Sequence, residues 1–425
     1  MSAFDKVIGY ESIKNELEQI CDMIHNKEAY EKLGAKLPQG ALLYGEPGLG
    51  KTLVAKSFIE EAGLPTYTIR RNKGDDDFIG GITETFQKAK ENSPSIVFLD
   101  DMDKFANEDD DHRDAEEYVA VQSGIDEVKG AEVFVLATAN DVHKLPKSLT
   151  RSGRFDRKIC FHSPSDKDAQ EIMEYYLSDK KVSDDIDMND LSKMMSFSSC
   201  AELETILNEA AVKAAYERAD AINMSHLVGS VLRMQYDSPD NLTKTDAEEL
   251  SKVALHEAGH LVVSEIVNPG SVGLASIRST GRDSTGGFIH ICKAITNRRQ
   301  DVLTSLGSKA AVELYYSENV ASGCQADLRR AYTSVRDGIT ESGTVGLAQL
   351  DISGRDYCVS ESWTDRNEAV ATAELERYLL KAKDILLKNR DFLEKTRDAL
   401  IEKETLLFSD IQRIKESCTI QEVAY

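Results

Sequence analysis

Two short segments of this chain hold residue types whose spacing permits chemistry. Gly45 to Thr52 read GEPGLGKT, the pattern G-x-x-x-x-G-K-T, after an apolar strand at Ala41–Tyr44 and before a helical pattern from Thr52 to Ala62. In such a loop the glycines let backbone N–H groups wrap phosphates, a lysine reaches the β and γ phosphates, and a Thr hydroxyl holds Mg²⁺. Gly45, Gly48, Gly50, Lys51 and Thr52 are therefore the expected contacts to ATP and its magnesium. The second segment, His256 to His260, reads HEAGH. Histidines four apart project from one face of a helix and can share one zinc ion, and Glu257 between them is placed as the general base for a water attacking a peptide carbonyl. Ala258 and Gly259 are small and leave room for a facing wall and for substrate. A catalytic zinc needs a third protein ligand, and spacing leaves Glu265, Asp301, Glu313, Cys324 and Asp327 all open.

The elements that must position these residues follow from hydrophobic patterning. Between 40 and 163 the runs GALLYG, PTYTIRR, SIVFLDD, VFVLATAN and KICFHS alternate with helical patterns. That alternation predicts a parallel sheet covered by helices. The third run delivers Asp100 and Asp101 at its carboxyl end, where ligands sit in open α/β sheets. Asp100 is the expected magnesium-side carboxylate. Residues 166 to 234 lose the strand-like runs and read as helices. The chain thus divides into a nucleotide-binding domain (1–164), a helical lid (165–235), a polar linker (236–244) and a mainly helical domain (245–425). Thr245 with Glu248 is a capping box opening the HEAGH helix. Glu374–Lys403 is long, charged and amphipathic, the pattern of a packing helix.

With 425 residues, 41% hydrophobic and 29% charged, the composition is that of folded domains. A net charge of −23 repels nucleic-acid backbones, so nucleic acid is not the expected partner. Seven scattered cysteines without a CxxC pair fit a reducing interior such as the cytosol. No apolar run approaches the roughly 18 residues needed to span a bilayer, and the first residues lack a signal-peptide layout, so the chain as given reads as soluble.

In these motifs and their order the chain resembles the AAA+ ATPases, specifically the FtsH-type membrane proteases, from about Phe4 to Ile411. The resemblance implies an α/β AAA+ module with a helical lid followed by a mainly α zinc metallopeptidase domain, with ATP, Mg²⁺ and one Zn²⁺ per subunit. It implies that Asp101 and Asn140 position the attacking water and that Arg151 and Arg154 are arginine fingers reaching a neighbour's γ-phosphate. Fingers offered in trans require a ring, expected to be a homohexamer. Phe78, read as exposed in a loop, matches the aromatic residue that grips threaded polypeptide. VASGCQADLRRA is similar to the segment supplying an aspartate ligand, which points to Asp327 over Cys324. GRDSTGGFI resembles the strand beside the active site, where an extended substrate would pair.

Four departures qualify the resemblance. The second strand acid is Asp101 where the family has Glu, a change expected to slow turnover. The region after Phe78 is shorter than usual, and Glu108–Asp111 replace a Gly-rich stretch. The family is normally membrane-anchored, so this chain is either truncated or a soluble relative. The expected activity is ATP-dependent zinc endopeptidase action on unfolded or tagged polypeptides drawn into a ring. The alternatives are an AAA+ remodelling scaffold with an inactive protease domain, and a metallopeptidase whose ATPase half only assembles it.

Overall fold

A computed structural model describes residues 2–71, 77–106, 115–238, 246–281, 286–316, 323–340 and 361–423. The chain divides into two compact units, Met1–Asp179 with Phe197–Thr205, and Lys180–Ser196 with Ile206–Tyr425. The helical stretch 165–235 is thus shared between them.

The first unit contains α1 (Glu11–His25), α2 (Lys27–Glu31), β1 (Gly40–Tyr44), α3 (Lys51–Ala62), β2 (Thr66–Ile69) and α4 (Phe78–Glu91). It continues with β3 (Ser95–Leu99), α5 (Glu116–Glu127), β4 (Val133–Ala139), β5 (Arg157–Cys160) and α6 (Asp166–Leu177). Its five strands form an all-parallel sheet in the order β2-β3-β4-β1-β5. Each strand falls on one of the five apolar runs. Side chains alternate faces along a strand, so the three inner strands β1, β3 and β4 each supply two cores. Leu42, Val97 and Val135 meet Ile82 and Phe86 of α4 and Val121 of α5. Leu43, Phe98 and Leu136 meet Leu17 of α1 and Val54 and Phe58 of α3. Burial of each such side chain stabilises by about 1.5–3 kcal/mol. The order sets β4 between β1 and β3, so the phosphate loop, Asp100 and Asn140 emerge from neighbouring strand ends.

The remaining elements are α7 (Met188–Met194), α8 (Cys200–Tyr216), α9 (Met224–Tyr236), α10 (Ala247–Val267), β6 (Val272–Ser279) and β7 (Gly286–Ile291). They are followed by α11 (Arg298–Tyr316), α12 (Gln325–Thr340), α13 (Glu361–Lys388), α14 (Arg390–Lys403), β8 (Thr405–Leu407) and α15 (Phe408–Glu416). Leu255, Leu261 and Val262 of α10 lie in one core with Leu303 of α11, Val335 of α12, Ile385 of α13 and Leu393 of α14. An antiparallel sheet, β7-β6-β8, leaves β7 at an edge.

Three local expectations change. Tyr236 belongs to α9, not to a linker, and Thr245 of the expected capping box lies outside the described residues; α10 begins after Asp246, whose side chain makes no cap hydrogen bond. The single helix read over Glu374–Lys403 is two. Asn389 leaves helical geometry (φ −113°, ψ 36°), and its side-chain amide donates to the carbonyls of Ile385 and Gln421. Strands β6 and β8 carried no clear alternation in sequence.

Candidate functional site

Helices α10 and α11 cross with their backbones almost touching. A Cβ added to Gly259 would lie 2.4 Å from the Gly307 carbonyl oxygen, and one on Gly307 would lie 2.5 Å from that of Gly259. The smallness of Gly259 therefore admits α11, the facing wall, and not substrate. This close approach brings the Thr304 carbonyl to 2.7 Å from His260 Nδ1. A carbonyl only accepts, so Nδ1 carries the proton and Nε2 keeps its lone pair.

Asp327 stands in the first turn of α12. Its Oδ2 is 3.3 Å from His256 Nε2 and 3.2 Å from His260 Nε2, and it accepts a 2.9 Å hydrogen bond from Ser308. Two ligand atoms each about 2.05 Å from a tetrahedral zinc stand about 3.3 Å apart, so the imidazole and carboxylate atoms already have the spacing of ligands to one ion. Cys324 approaches His256 through the other ring nitrogen, Nδ1, at 3.7 Å. Its sulfur, with donor atoms of His256 and Asp327, forms a second cluster within 4.8 Å. The geometry favours Asp327, which faces both histidines at Nε2, and leaves Cys324 to orient the His256 ring. The other open acids are engaged elsewhere. Glu265 accepts from Gly270 and Val272 N–H groups and pairs with Lys415. Glu313 pairs with Lys309 and Lys383, and Asp301 with Arg330.

The electrostatics match a cation site. Burial alone would lower the His256 pKa, yet hydrogen bonds to Asp327 and Cys324 hold it up at about 10. Burial would raise Asp327, and the two imidazoles instead hold it well below the usual carboxylate range. Protons here satisfy acceptors that a divalent ion would otherwise hold, and metal binding releases such protons. Glu257 is buried, and burial pushes it up to about 7 against the downward pull of both imidazoles. Its Oε1 lies 4.0 Å from His256 Nε2.

A cleft of about 1000 Å³ opens over these residues, walled by α10, α11, α12 and the edge strand β7. Gly287 on β7 has φ +122°, and a Cβ there would lie 2.6 Å from Glu257 Oε1. Only a glycine leaves space for that carboxylate.

In the first unit, Thr52 Oγ1 donates to Asp100 Oδ1 at 3.3 Å, and Thr138 Oγ1 donates to the same oxygen at 3.0 Å. Asp100 is buried at the end of β3. A hydroxyl and a buried carboxylate meeting beside the loop Gly45–Gly50 fit a magnesium–nucleotide group. Lys51 turns back over the loop, donating to the carbonyls of Gly45 and Glu46. Asp101 adopts φ 55° and pairs with Lys104 at 2.8 Å. The Asn140 N–H donates to Asp103.

The two arginines differ. Arg151 is exposed. Arg154 is 5% exposed and turned inward, its guanidinium bidentate to Asp126 and donating to Gln122 and the Ser148 carbonyl. Phe78 is also not the exposed loop residue expected from sequence. It is half-buried at the start of α4, with Phe105 edge-on at 5.2 Å and the Arg71 guanidinium over its ring; Ile79 beside it is the more exposed apolar residue. The acidic run Glu108–Asp111 lies outside the described residues. Sequence reading missed Thr138 and Thr304, and held Gly287 only as part of the GRDSTGGFI strand. Thr304 acts through a backbone carbonyl, which no side-chain pattern reveals.

Residues 41–163 match the model of the ATPase family associated with various cellular activities (AAA), and 243–414 match that of peptidase family M41. Among relatives, the ATP-dependent zinc metalloprotease FtsH of Caldicellulosiruptor bescii is 30% identical over 97% of this chain and 71% of its own length. FtsH of Ureaplasma parvum is 29% identical, over 97% and 60%, and FtsH 3 of Symbiobacterium thermophilum 30% identical, over 97% and 71%. Across such relatives the chain spans between 56% and 74% of the other protein's length. Both motif-bearing regions match in order and nearly the whole chain aligns, so this chain belongs to the FtsH family of ATP-dependent zinc metalloproteases.

Proposed function

We propose that the chain hydrolyses peptide bonds at the His256–Glu257–His260–Asp327 cluster and couples this to ATP hydrolysis at Gly45–Thr52, acting on unfolded polypeptide as a ring, expected to be a hexamer. The convergence of Asp327 on both histidine Nε2 atoms carries this reading. His256, His260 and Asp327 would hold the zinc, which when bound supplies Lewis-acid polarisation of the peptide carbonyl and of water. Glu257, buried beside them with a raised pKa, accepts the proton of the attacking water and returns it to the departing amine. The edge of β7, unpaired among the described residues, gives an extended peptide a strand to pair with, holding the scissile bond over the cluster.

In the first unit Lys51, Thr52 and Asp100 would hold the nucleotide and its magnesium, with Asp101 and Asn140 orienting water. Arg151, being exposed, is the residue available to a neighbouring subunit. Arg154, tied to Asp126, fixes the turn that presents Arg151. Phe78 and Ile79 at the head of α4 would contact the threaded chain. The intact donor set gives no support to a non-proteolytic scaffold.

The test is degradation of a loosely folded protein by the purified chain, with and without ATP, a zinc chelator and Glu257→Gln. Cleavage that stops in each deprived condition is expected. Cleavage persisting with chelator and in the variant refutes the assignment.

A further inference from the structure

A second cavity, of about 780 Å³, adjoins the cleft and shares Ile295, Asp301, Ala326 and Arg330 with it. Its charge differs from that of the chain around it. Arg298, Arg329 and Arg330 face it against Asp301 and Asp337, a net positive lining in a chain of net charge −23. The other end of the cleft has the opposite sign, with Asp246, Glu248 and Glu249 against Lys252. β7 connects the two: Gly286 lies against Val253 of α10, and the strand runs through Ile291 toward Ile295. Two of the three arginines are already engaged. Arg298 donates to the Ser334 carbonyl at 2.6 Å, and Arg330 donates to Asp301 at 2.8 Å. Arg329 is exposed and has no ion pair or hydrogen bond among the described residues.

We propose that this arginine-lined cavity is a substrate subsite selecting acidic side chains on one side of the scissile bond, with Arg329 as its main contact. The inference rests on the peptidase reading above, and on the pairing of an extended substrate with β7. A guanidinium offers forked donors matched to a carboxylate, and its charge offsets the repulsion an acidic peptide meets elsewhere on this surface. Neutral or basic peptides gain nothing there.

The experiment uses internally quenched peptides identical except for Glu or Gln at each position from three before to three after the cleaved bond, with the purified full chain. The quantity read is the kcat/KM ratio of the Glu to the Gln peptide, which cancels any general loss of activity in a variant. In the unmodified protein the ratio should be about two to five at positions on one side of the bond only, the size of an exposed ion pair. It should approach one in Arg329→Gln and fall below one in Arg329→Glu, with the change mainly in KM. A ratio near one at every position in the unmodified protein, or a preference surviving Arg329→Glu, overturns the proposal while leaving chelator-sensitive cleavage intact. Absence of chelator-sensitive cleavage of every peptide overturns the peptidase reading and this inference together.

Discussion

Gly287→Ala separates the proposed general base, Glu257, from the proposed metal ligands. A Cβ at this position would sit 2.6 Å from Glu257 Oε1 and 2.7 Å from its Cγ, where ordinary contact begins at 3.4 Å. Either the carboxylate or the strand must move by about 0.8 Å. Glu257 is buried near His256 at the cleft, and any such shift moves its carboxylate from that position. The backbone at φ +122° adds strain of about 1–3 kcal/mol for any residue with a Cβ. Displacement of a reacting group by about 1 Å costs on the order of 10²-fold in rate. Peptide cleavage by Gly287→Ala should therefore fall about 100-fold, mainly in kcat. Zinc per chain, measured by elemental analysis, should stay at the unmodified level, because no ligand is touched. Gly286→Ala is the control: its Cβ would meet only a Val253 methyl at 3.2 Å, and activity should stay within about threefold. Cleavage by Gly287→Ala within threefold of the unmodified rate would refute the argument that β7 sets the position of Glu257. Loss of zinc in that variant would refute it equally.

Other expectations follow from the same contacts. Asp327→Asn should lose bound zinc on dialysis, whereas Asp301→Asn and Glu313→Gln, whose carboxylates are paired with basic side chains, should retain it; elemental analysis of the three decides. Arg151→Ala should abolish ATP hydrolysis while leaving thermal stability unchanged. Arg154→Ala should also cost about 2–3 kcal/mol, lowering Tm by roughly 5 °C, because it leaves Asp126 and Gln122 without their buried partner; equal Tm for both variants would count against the inward role of Arg154. Burial holds His290 down at about 4 from 6.5, beside a 2.6 Å hydrogen bond with Tyr236. Below pH 6.5 the unfolded chain binds a proton that the folded one refuses, so stability falls as pH drops toward 4 and costs about 2 kcal/mol by pH 5. His290→Gln should show a smaller Tm loss between pH 7 and pH 5 than the unmodified chain.

Much of this protein was determined by local sequence. The GEPGLGKT loop and HEAGH helix are contiguous, and the physics that makes each work, backbone N–H groups around phosphate and a helical turn of four residues, operates within one element. The five apolar runs became five strands, and the three inner ones, β1, β3 and β4, are buried because a strand covered on both faces must be apolar throughout. What only the tertiary structure decided joins residues distant along the chain. Four acids and a thiol were too many candidates for a third ligand, and the crossing of α10 with α11 and the start of α12 left Asp327 facing both imidazoles. Arg154 looked the equal of Arg151 until α5 brought Asp126 and Gln122 under it. Phe78 looked like a free loop residue until Phe105 was packed beside it. Gly287 was legible only as part of the GRDSTGGFI strand, because its role is to lack a side chain where a buried carboxylate from another element needs the space.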